Sequence, residues 1–168
     1  MHTAAEAWSA GACAAAPGTA AADAGSARSV GTVLAFDFGA KRIGVAVGEA
    51  SLAIAHALTV IRDERNDLRF GQIDRLVAEW RPDLLVVGLP LAVDGGEHAM
   101  TARCRRFARQ LQARFGLAVC LVDERYTSVA AEGLVRASRG AAPREKGQID
   151  AAAAQLILQS YFDTPRHS

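Results

Sequence analysis

The sequence contains little cysteine, almost no net charge and no long apolar run. Its three cysteines, Cys13, Cys104 and Cys120, form no CxxC pair, which excludes a disulfide-rich scaffold and a cysteine-based zinc site. We therefore expect an incidental thiol at Cys13 and a reducing, cytoplasmic environment. A formal net charge of +1 gives no general attraction to nucleic acid, so any basic surface must be local. No run approaches the roughly 20 uncharged apolar residues of a membrane span, so we expect no membrane association.

The first thirty residues are unlike the rest of the chain. Thirteen of them are alanine, and no large apolar side chain recurs at a spacing that would form a buried face. Glu6, Pro17 and two glycines interrupt the alanines, unlike a secretory signal, and a single arginine is unlike an organellar transit peptide. We predict a disordered alanine-rich extension over residues 1–30, one domain over residues 31–164 and a short tail over residues 165–168.

The apolar pattern after residue 32 predicts three strands followed by alternating helices and strands. We expect strands at 33–38, 43–47, 55–61, 84–87 and 117–122, and helices at 68–80, 97–115, 128–137 and 147–162. When a helix separates two strands of one sheet, its crossover makes those strands parallel. The sequence therefore predicts an α/β fold with a mixed five-stranded sheet and helices on both faces.

The predicted helix at 97–115 has two chemically different faces. Its apolar stripe comprises Met100, Cys104, Phe107, Leu111 and Phe115. The opposite half carries five arginines with almost no acidic partner within the helix: Arg103, Arg105, Arg106, Arg109 and Arg114. That face is either a solvated surface or a track for phosphates.

Several acidic residues stand where a buried carboxylate would be costly. Asp37 lies inside an apolar strand, and Asp123 and Glu124 directly follow another. Asp150 falls in the first turn of the last predicted helix, before four alanines. Each has a structural alternative: Asp37 would cap a turn, and the others would favour a helix dipole. If three of these carboxylates meet, hard oxygen ligands without a histidine or cysteine cluster favour Mg²⁺ or Mn²⁺, ions that catalyse phosphodiester hydrolysis.

Four blocks in fixed order resemble those of a known family. The chain resembles the YqgF family over residues 33–162, through FDFGAKRIGVAVG, VVGLPLAVDG, DERYTS and KGQIDAAAAQLIL. Its members are Holliday-junction-resolvase-like proteins with the ribonuclease H-like fold, implicated in processing the precursor of small-subunit ribosomal RNA. The resemblance implies that fold and a metal-dependent endonuclease, acting in 5′ maturation of pre-16S rRNA or on branched DNA. Ala40 and Ala92 depart from the family pattern, but neither replaces a carboxylate.

The resemblance also implies which carboxylates form the site. The expected catalytic residues are Asp37, Asp123, Glu124 and Asp150. Asp37 and Asp150 are expected to hold Mg²⁺ or Mn²⁺ together with one of the pair Asp123 and Glu124. The choice within that pair is left open, with Glu124 favoured.

Basic residues near these acids, and on the arginine face of the helix, are candidates for phosphate contact. They are Lys41, Arg42, Arg103, Arg106, Arg109 and Arg125. The alternatives are a solvated hairpin tip for the first two residues and neutralisation of Asp123 by Arg125.

A non-enzymatic function remains as an alternative reading of the same residues. A ribosome-assembly or transcription-linked factor that binds structured RNA would keep the arginine face and use the carboxylates structurally. For either function we expect a structured rRNA precursor or branched DNA as partner, with ribosome-assembly factors as further partners. The sequence contains no recognisable dimer stripe and leaves a monomer and a homodimer open. Cleavage of a two-fold junction would require a homodimer, whereas cleavage of a ribosomal precursor would not.

Overall fold

The computed structural model describes residues 13–14, 30–91, 96, 98–124 and 143–164. Its strands are β1 (Cys13–Ala14), β2 (Thr32–Phe38), β3 (Ile43–Glu49), β4 (Ile54–Ile61), β5 (Leu84–Leu89) and β6 (Ala118–Asp123). Its helices are α1 (Asn66–Trp80), α2 (Ala99–Phe115) and α3 (Pro143–Asp163). Within the described ranges, no helix has both the length and the apolar character needed to cross a bilayer. The predicted helix at 128–137, the tail and most of the predicted disordered extension lie outside the described residues.

The strands form one mixed sheet in the order β1-β6-β5-β2-β3-β4. Strands β2, β3 and β4 pair antiparallel in sequence order, whereas β5 is parallel to both β2 and β6. The predicted strands correspond to β2 through β6, which confirms the mixed five-stranded sheet, and the two-residue β1 adds to one edge. Three antiparallel strands followed by two parallel crossovers form the topology of the ribonuclease H-like fold.

The sheet separates two apolar layers, because successive side chains of β2 point to opposite faces. Leu34 and Phe36 pack with α1 and α2 on one face, whereas Val33 and Ala35 pack with α3 on the other. Helices therefore cover both faces, as predicted. Full burial of a leucine- or phenylalanine-sized side chain contributes about 1.5–3 kcal/mol, so both layers stabilise the sheet that positions the site.

Helix α2 lies on the first face with its predicted apolar stripe inward. Cys104, Phe107 and Leu111 are buried against the sheet. Thr101 is buried as well, and its hydroxyl donates to the carbonyl of Pro90. This bond attaches the beginning of α2 to the loop that follows β5.

Helix α3 begins one turn earlier than predicted, at Pro143 instead of Gly147. Proline is favoured at the first position of a helix, because its missing N–H is not needed there. Asp150 is therefore the eighth residue of α3 and not a first-turn residue. The alternative that Asp150 balances the helix dipole is wrong, since that effect falls off within the first turn.

A disulfide bond joins Cys13 to Cys120 at one edge of the sheet. Strand β1 pairs antiparallel with β6, and the two cysteines stand opposite each other in the ladder. The prediction of an incidental thiol at Cys13 is therefore wrong, and the cysteine usage no longer supports a reducing environment. The pairing depends on a contact between residues 107 positions apart, which no local spacing rule reveals. Cys104 is a free, buried cysteine.

The opposite edge of the sheet, strand β4, is attached to α3 by two glutamines. Gln159 accepts the N–H of Ala55 at 3.2 Å, and Gln155 donates to the carbonyl of the same residue at 3.0 Å. Gln159 also donates to the carbonyl of Ala53. Backbone groups of an outer strand thereby find partners on a helix instead of another strand.

Candidate active site

Asp37 is the penultimate residue of β2, and strand alternation places it on the α3 face with Val33 and Ala35. Its partner across the β2–β3 ladder is Gly44. A Cβ atom at Gly44 would collide with the backbone carbonyl of Asp150, so glycine lets α3 lie directly against the sheet. That close approach brings Asp150 to Asp37.

Glu124 directly follows β6, and its carboxylate lies over Gly88 near the end of β5. A Cβ atom at Gly88 would collide with the Glu124 carboxylate and with the tip of Ile157, so this glycine makes room on the α3 face. Asp123 is buried, and the alternation of β6 directs it to the face covered by α1 and α2. Of the two neighbouring acids, Glu124 is the one on the α3 face.

Electrostatic repulsion links carboxylates from three distant parts of the chain. The pKa of Asp37 is raised from its usual 3.8 to about 6. Burial is the larger cause, and the charge of Asp150 is the smaller one. Burial likewise raises the pKa of Glu124 from 4.5 to about 8, with added repulsion from Asp37 and Asp123. A carboxylate that caps a turn accepts N–H groups, which would lower its pKa. The turn-cap alternative therefore does not account for Asp37.

The charges of Glu124 and Asp37 also affect a cysteine in the layer covered by α1 and α2. Burial raises the pKa of the Cys104 thiol to about 12, and the charges of Glu124 and Asp37 contribute to the rise. The thiol therefore stays protonated at neutral pH. Cys104 is a packing residue beneath the carboxylates and not a nucleophile.

Arg42, at the end of the β2–β3 turn, places a positive charge against one of these carboxylates. Its Nε donates to Asp150 Oδ2 at 2.5 Å, with both side chains about one-quarter to one-third exposed. Lys41 precedes it and is exposed on the same turn. The structure thus brings one predicted phosphate contact, Arg42, to a predicted metal ligand.

The carboxylates fit a divalent cation by their chemistry. Asp37 and Glu124 are hard oxygen donors, and their pKa values are raised mainly by burial and further by neighbouring carboxylates. Within the described residues, no three histidine, cysteine, aspartate or glutamate side chains are already arranged as a cation site. Asp150 is paired with Arg42 instead. A cation would therefore replace the guanidinium as the partner of Asp150.

The arginine face of α2 divides into two groups. Arg103, Arg106 and Arg109 are exposed, and the Arg103 guanidinium lies 5.9 Å from the centre of the Phe38 ring. Arg114 instead bonds the Asp74 carboxylate of α1 through two nitrogens, at 2.8 and 2.6 Å. Arg114, which was not among the predicted phosphate contacts, therefore serves the packing of α1 on α2. The predicted contact Arg125 lies outside the described residues.

Sequence reasoning missed Arg69, a buried arginine in the first turns of α1. Only 3 % of its surface is exposed, and it donates to the backbone carbonyls of Asp63, Gly39 and Ala40. Nothing in the sequence separates it from the exposed arginines of the same segment. Its burial depends on the β2–β3 turn folding over α1, which is a tertiary contact.

These features define a class of protein. A ribonuclease H-like sheet with coupled acidic side chains at the ends of its central strands is the framework of a nuclease that hydrolyses phosphodiester bonds. The chain belongs to the RuvX family, described as Holliday junction resolvase, whose model matches residues 31–164. RuvX is another name for the YqgF family, so the match confirms the resemblance seen in the sequence.

Curated relatives agree closely with the chain over most of their length. A protein of Methylobacillus flagellatus is 54% identical over 137 residues, which cover 82% of this chain and 94% of the relative. A protein of Dechloromonas aromatica is 52% identical over 138 residues, with the same coverage of both chains. Both carry the name "Putative pre-16S rRNA nuclease".

The chain also aligns with solved structures at low sequence identity. Thermus thermophilus RuvC, in complex with a Holliday junction substrate, is 21% identical with a TM-score of 0.48. That alignment covers 78% of this chain and 94% of the other.

Proposed function

We propose that this protein is a metal-dependent endonuclease that hydrolyses phosphodiester bonds in the 5′ maturation of pre-16S rRNA. The observation that carries the proposal is the convergence of Asp37, Asp150 and Glu124 on the α3 face at one end of the sheet, where neighbouring charges help to raise the pKa of Asp37 and of Glu124. Clustered, partly buried carboxylates destabilise a fold, and nucleases use such clusters to hold cations. The name of the curated relatives supports the choice of substrate.

Asp37, Glu124 and Asp150 are the residues that would hold Mg²⁺ or Mn²⁺, because carboxylate oxygens suit both ions. A cation bound there supplies a more acidic water and offsets the charge of the phosphate. The carboxylates must be ionised to serve as ligands, so cation binding is linked to proton release from Asp37 and Glu124. Asp123 supports the site by adding negative charge beside Glu124 from the other face.

The basic residues hold the polyanionic substrate. Lys41 and Arg42 extend from the β2–β3 turn beside the carboxylates, so a phosphate at the site lies within their reach. Exposed arginines of α2 and the arginine after β6 continue the contact along the nucleic acid; they are Arg103, Arg106, Arg109 and Arg125. Such contacts make binding weaken as the salt concentration rises.

A structured RNA precursor is the substrate we favour, and branched DNA is the second candidate because of the family description. Maturation of ribosomal RNA implies a cytoplasmic enzyme that works beside ribosome-assembly factors. Cutting one RNA strand requires one active site, so a monomer suffices. Symmetric cleavage of a two-fold junction would require a homodimer.

The test is cleavage of a labelled precursor fragment and of a four-way DNA junction by purified protein. Asp37→Asn removes one charge from the site with little change in shape. Glu79→Gln makes the matching change at an exposed position of α1 and serves as the control. We expect cleavage by the wild type and the control with Mn²⁺ or Mg²⁺, and none by Asp37→Asn or in EDTA.

Two outcomes would contradict the proposal. Cleavage by Asp37→Asn at the wild-type rate would mean that the carboxylate takes no part in the reaction. Tight RNA binding without cleavage, with either metal and either substrate, would favour the non-catalytic assembly factor.

A further inference from the structure

Arg69 is a buried charge whose bonds join two separate segments of backbone. Its Nη2 donates to the carbonyls of Gly39 at 3.0 Å and of Ala40 at 2.6 Å, both in the β2–β3 turn. Its Nε donates to the carbonyl of Asp63, in the segment between β4 and α1. The guanidinium also lies 5.4 Å from the centre of the Phe38 ring. Arg69 therefore contacts the backbone of the turn and the ring of Phe38, the residue that precedes it.

These bonds constrain the turn because a buried guanidinium is costly unless its N–H groups are satisfied. Planar guanidinium nitrogens point in fixed directions, so several carbonyls can bond them only in one arrangement. The carbonyls of Gly39 and Ala40 are held by the same nitrogen. A shift of the turn would break both bonds at once and leave the guanidinium with the Asp63 carbonyl as its remaining backbone partner among the three.

The turn held in this way carries two cationic residues, one of which is bonded to a carboxylate of the candidate site. Lys41 and Arg42 follow directly after Ala40, and Arg42 bonds to Asp150. The turn is tight, because a Cβ atom at Gly39 would meet the backbone carbonyl of Arg42. The position of Arg42 relative to Asp150 therefore depends on where the carbonyls of the turn are fixed.

We propose that Arg69 is a positioning residue, which holds the β2–β3 turn so that Lys41 and Arg42 face the carboxylates and the phosphate of a bound nucleic acid. The phosphate part of this inference rests on the proposed function. The part that concerns the turn does not, because the contacts exist within the chain. Arg69 itself is buried and contacts no substrate.

The experiment compares Arg69→Met, which keeps an apolar stem and removes the donors, with Arg75→Met at an exposed position of α1. Binding of a labelled RNA hairpin is measured in Ca²⁺, alone and in combination with Arg42→Ala. Amide hydrogen exchange of Ala40 and Lys41 is measured in the free protein by NMR. Melting curves establish that each variant is folded.

If Arg69 acts through the turn, Arg69→Met weakens RNA binding about tenfold, the equivalent of roughly 1.4 kcal/mol. It also speeds exchange at Ala40 and Lys41, whereas Arg75→Met does neither. When Arg42→Ala is already present, adding Arg69→Met weakens RNA binding by much less than tenfold. The Arg42 side chain is then absent, so its position no longer depends on Arg69.

Additive losses, or unchanged exchange at the turn in a folded variant, would overturn the inference. If Arg69→Met does not fold, Arg69→Lys replaces it, because lysine keeps the charge without the planar array of donors, and the same outcomes decide. A wild-type protein that binds no RNA would contradict the proposed function. Hydrogen exchange would then still decide whether Arg69 holds the turn.

Discussion

Replacing Glu124 by glutamine is expected to stabilise the protein in the absence of metal, by an amount that grows with pH. In the folded protein the pKa of this carboxyl is about 8, against a usual 4.5. The unfolded state therefore releases the Glu124 proton at a lower pH than the folded state does. The stability associated with this group is complete below about pH 4.5 and is lost as the pH rises through about 8.

The magnitude follows from the same pKa values. A difference from 4.5 to about 8 corresponds to roughly 5 kcal/mol, at about 1.4 kcal/mol per pH unit. Glu124 is partly exposed, so solvent screening reduces the cost to about 1–3 kcal/mol. Glutamine has the same shape and does not ionise, so it avoids this cost. For a domain of this size we expect a melting temperature about 3–9 °C higher at pH 9.

The assay is thermal unfolding in EDTA from pH 5 to pH 9, for the wild type, Glu124→Gln and the exposed control Glu79→Gln. The gap between Glu124→Gln and wild type should widen with pH, while the control follows the wild type. Mn²⁺ at pH 8 should then stabilise the wild type and leave Glu124→Gln little changed, because a bound ion compensates the carboxylates. A gap that is equal at pH 5 and pH 9 would refute the reasoning.

Three further predictions concern other parts of the molecule. Gly44→Ala should destabilise the fold by more than about 3 kcal/mol in denaturant titrations, because the new methyl group meets the backbone of α3; a loss below about 1 kcal/mol would contradict that contact. Unreduced, denatured protein should react with iodoacetamide at one cysteine and reduced protein at three, because Cys13 and Cys120 are joined; three reactive thiols without reductant would exclude the disulfide. Arg109→Ala should reduce the magnitude of the slope of log RNA affinity against log salt concentration by about 0.7–0.9. Arg114→Ala should leave that slope unchanged, because Asp74 holds the Arg114 side chain. Equal slopes for the two variants would contradict the different roles given to these arginines.

The sequence predicted the fold well because the strands of this sheet are short and almost purely apolar. The runs around Leu34, Val45 and Val86 read as buried strands without any tertiary information, and all three are buried. The same purity made Asp37 conspicuous as an acid inside an apolar run. Burial in that run is also the main cause of the raised pKa of Asp37.

Contacts between distant segments could not be predicted in this way. The choice between Asp123 and Glu124 depends on the alternation at the end of β6 and on the space above Gly88. The disulfide depends on register at a sheet edge, and the burial of Arg69 depends on a turn folding over a helix. Periodicity reports which residues face a core, but it does not report which segments meet there.

The glutamines of α3 have a consequence for how copies of this protein could associate. An outer strand with unsatisfied backbone groups can recruit a strand from another molecule and extend the sheet across both. Here Gln155 and Gln159 already occupy the N–H and the carbonyl of Ala55. At this position a second chain would have to displace both side chains before it could pair. Extension of the sheet by a second copy is therefore disfavoured at this position of β4.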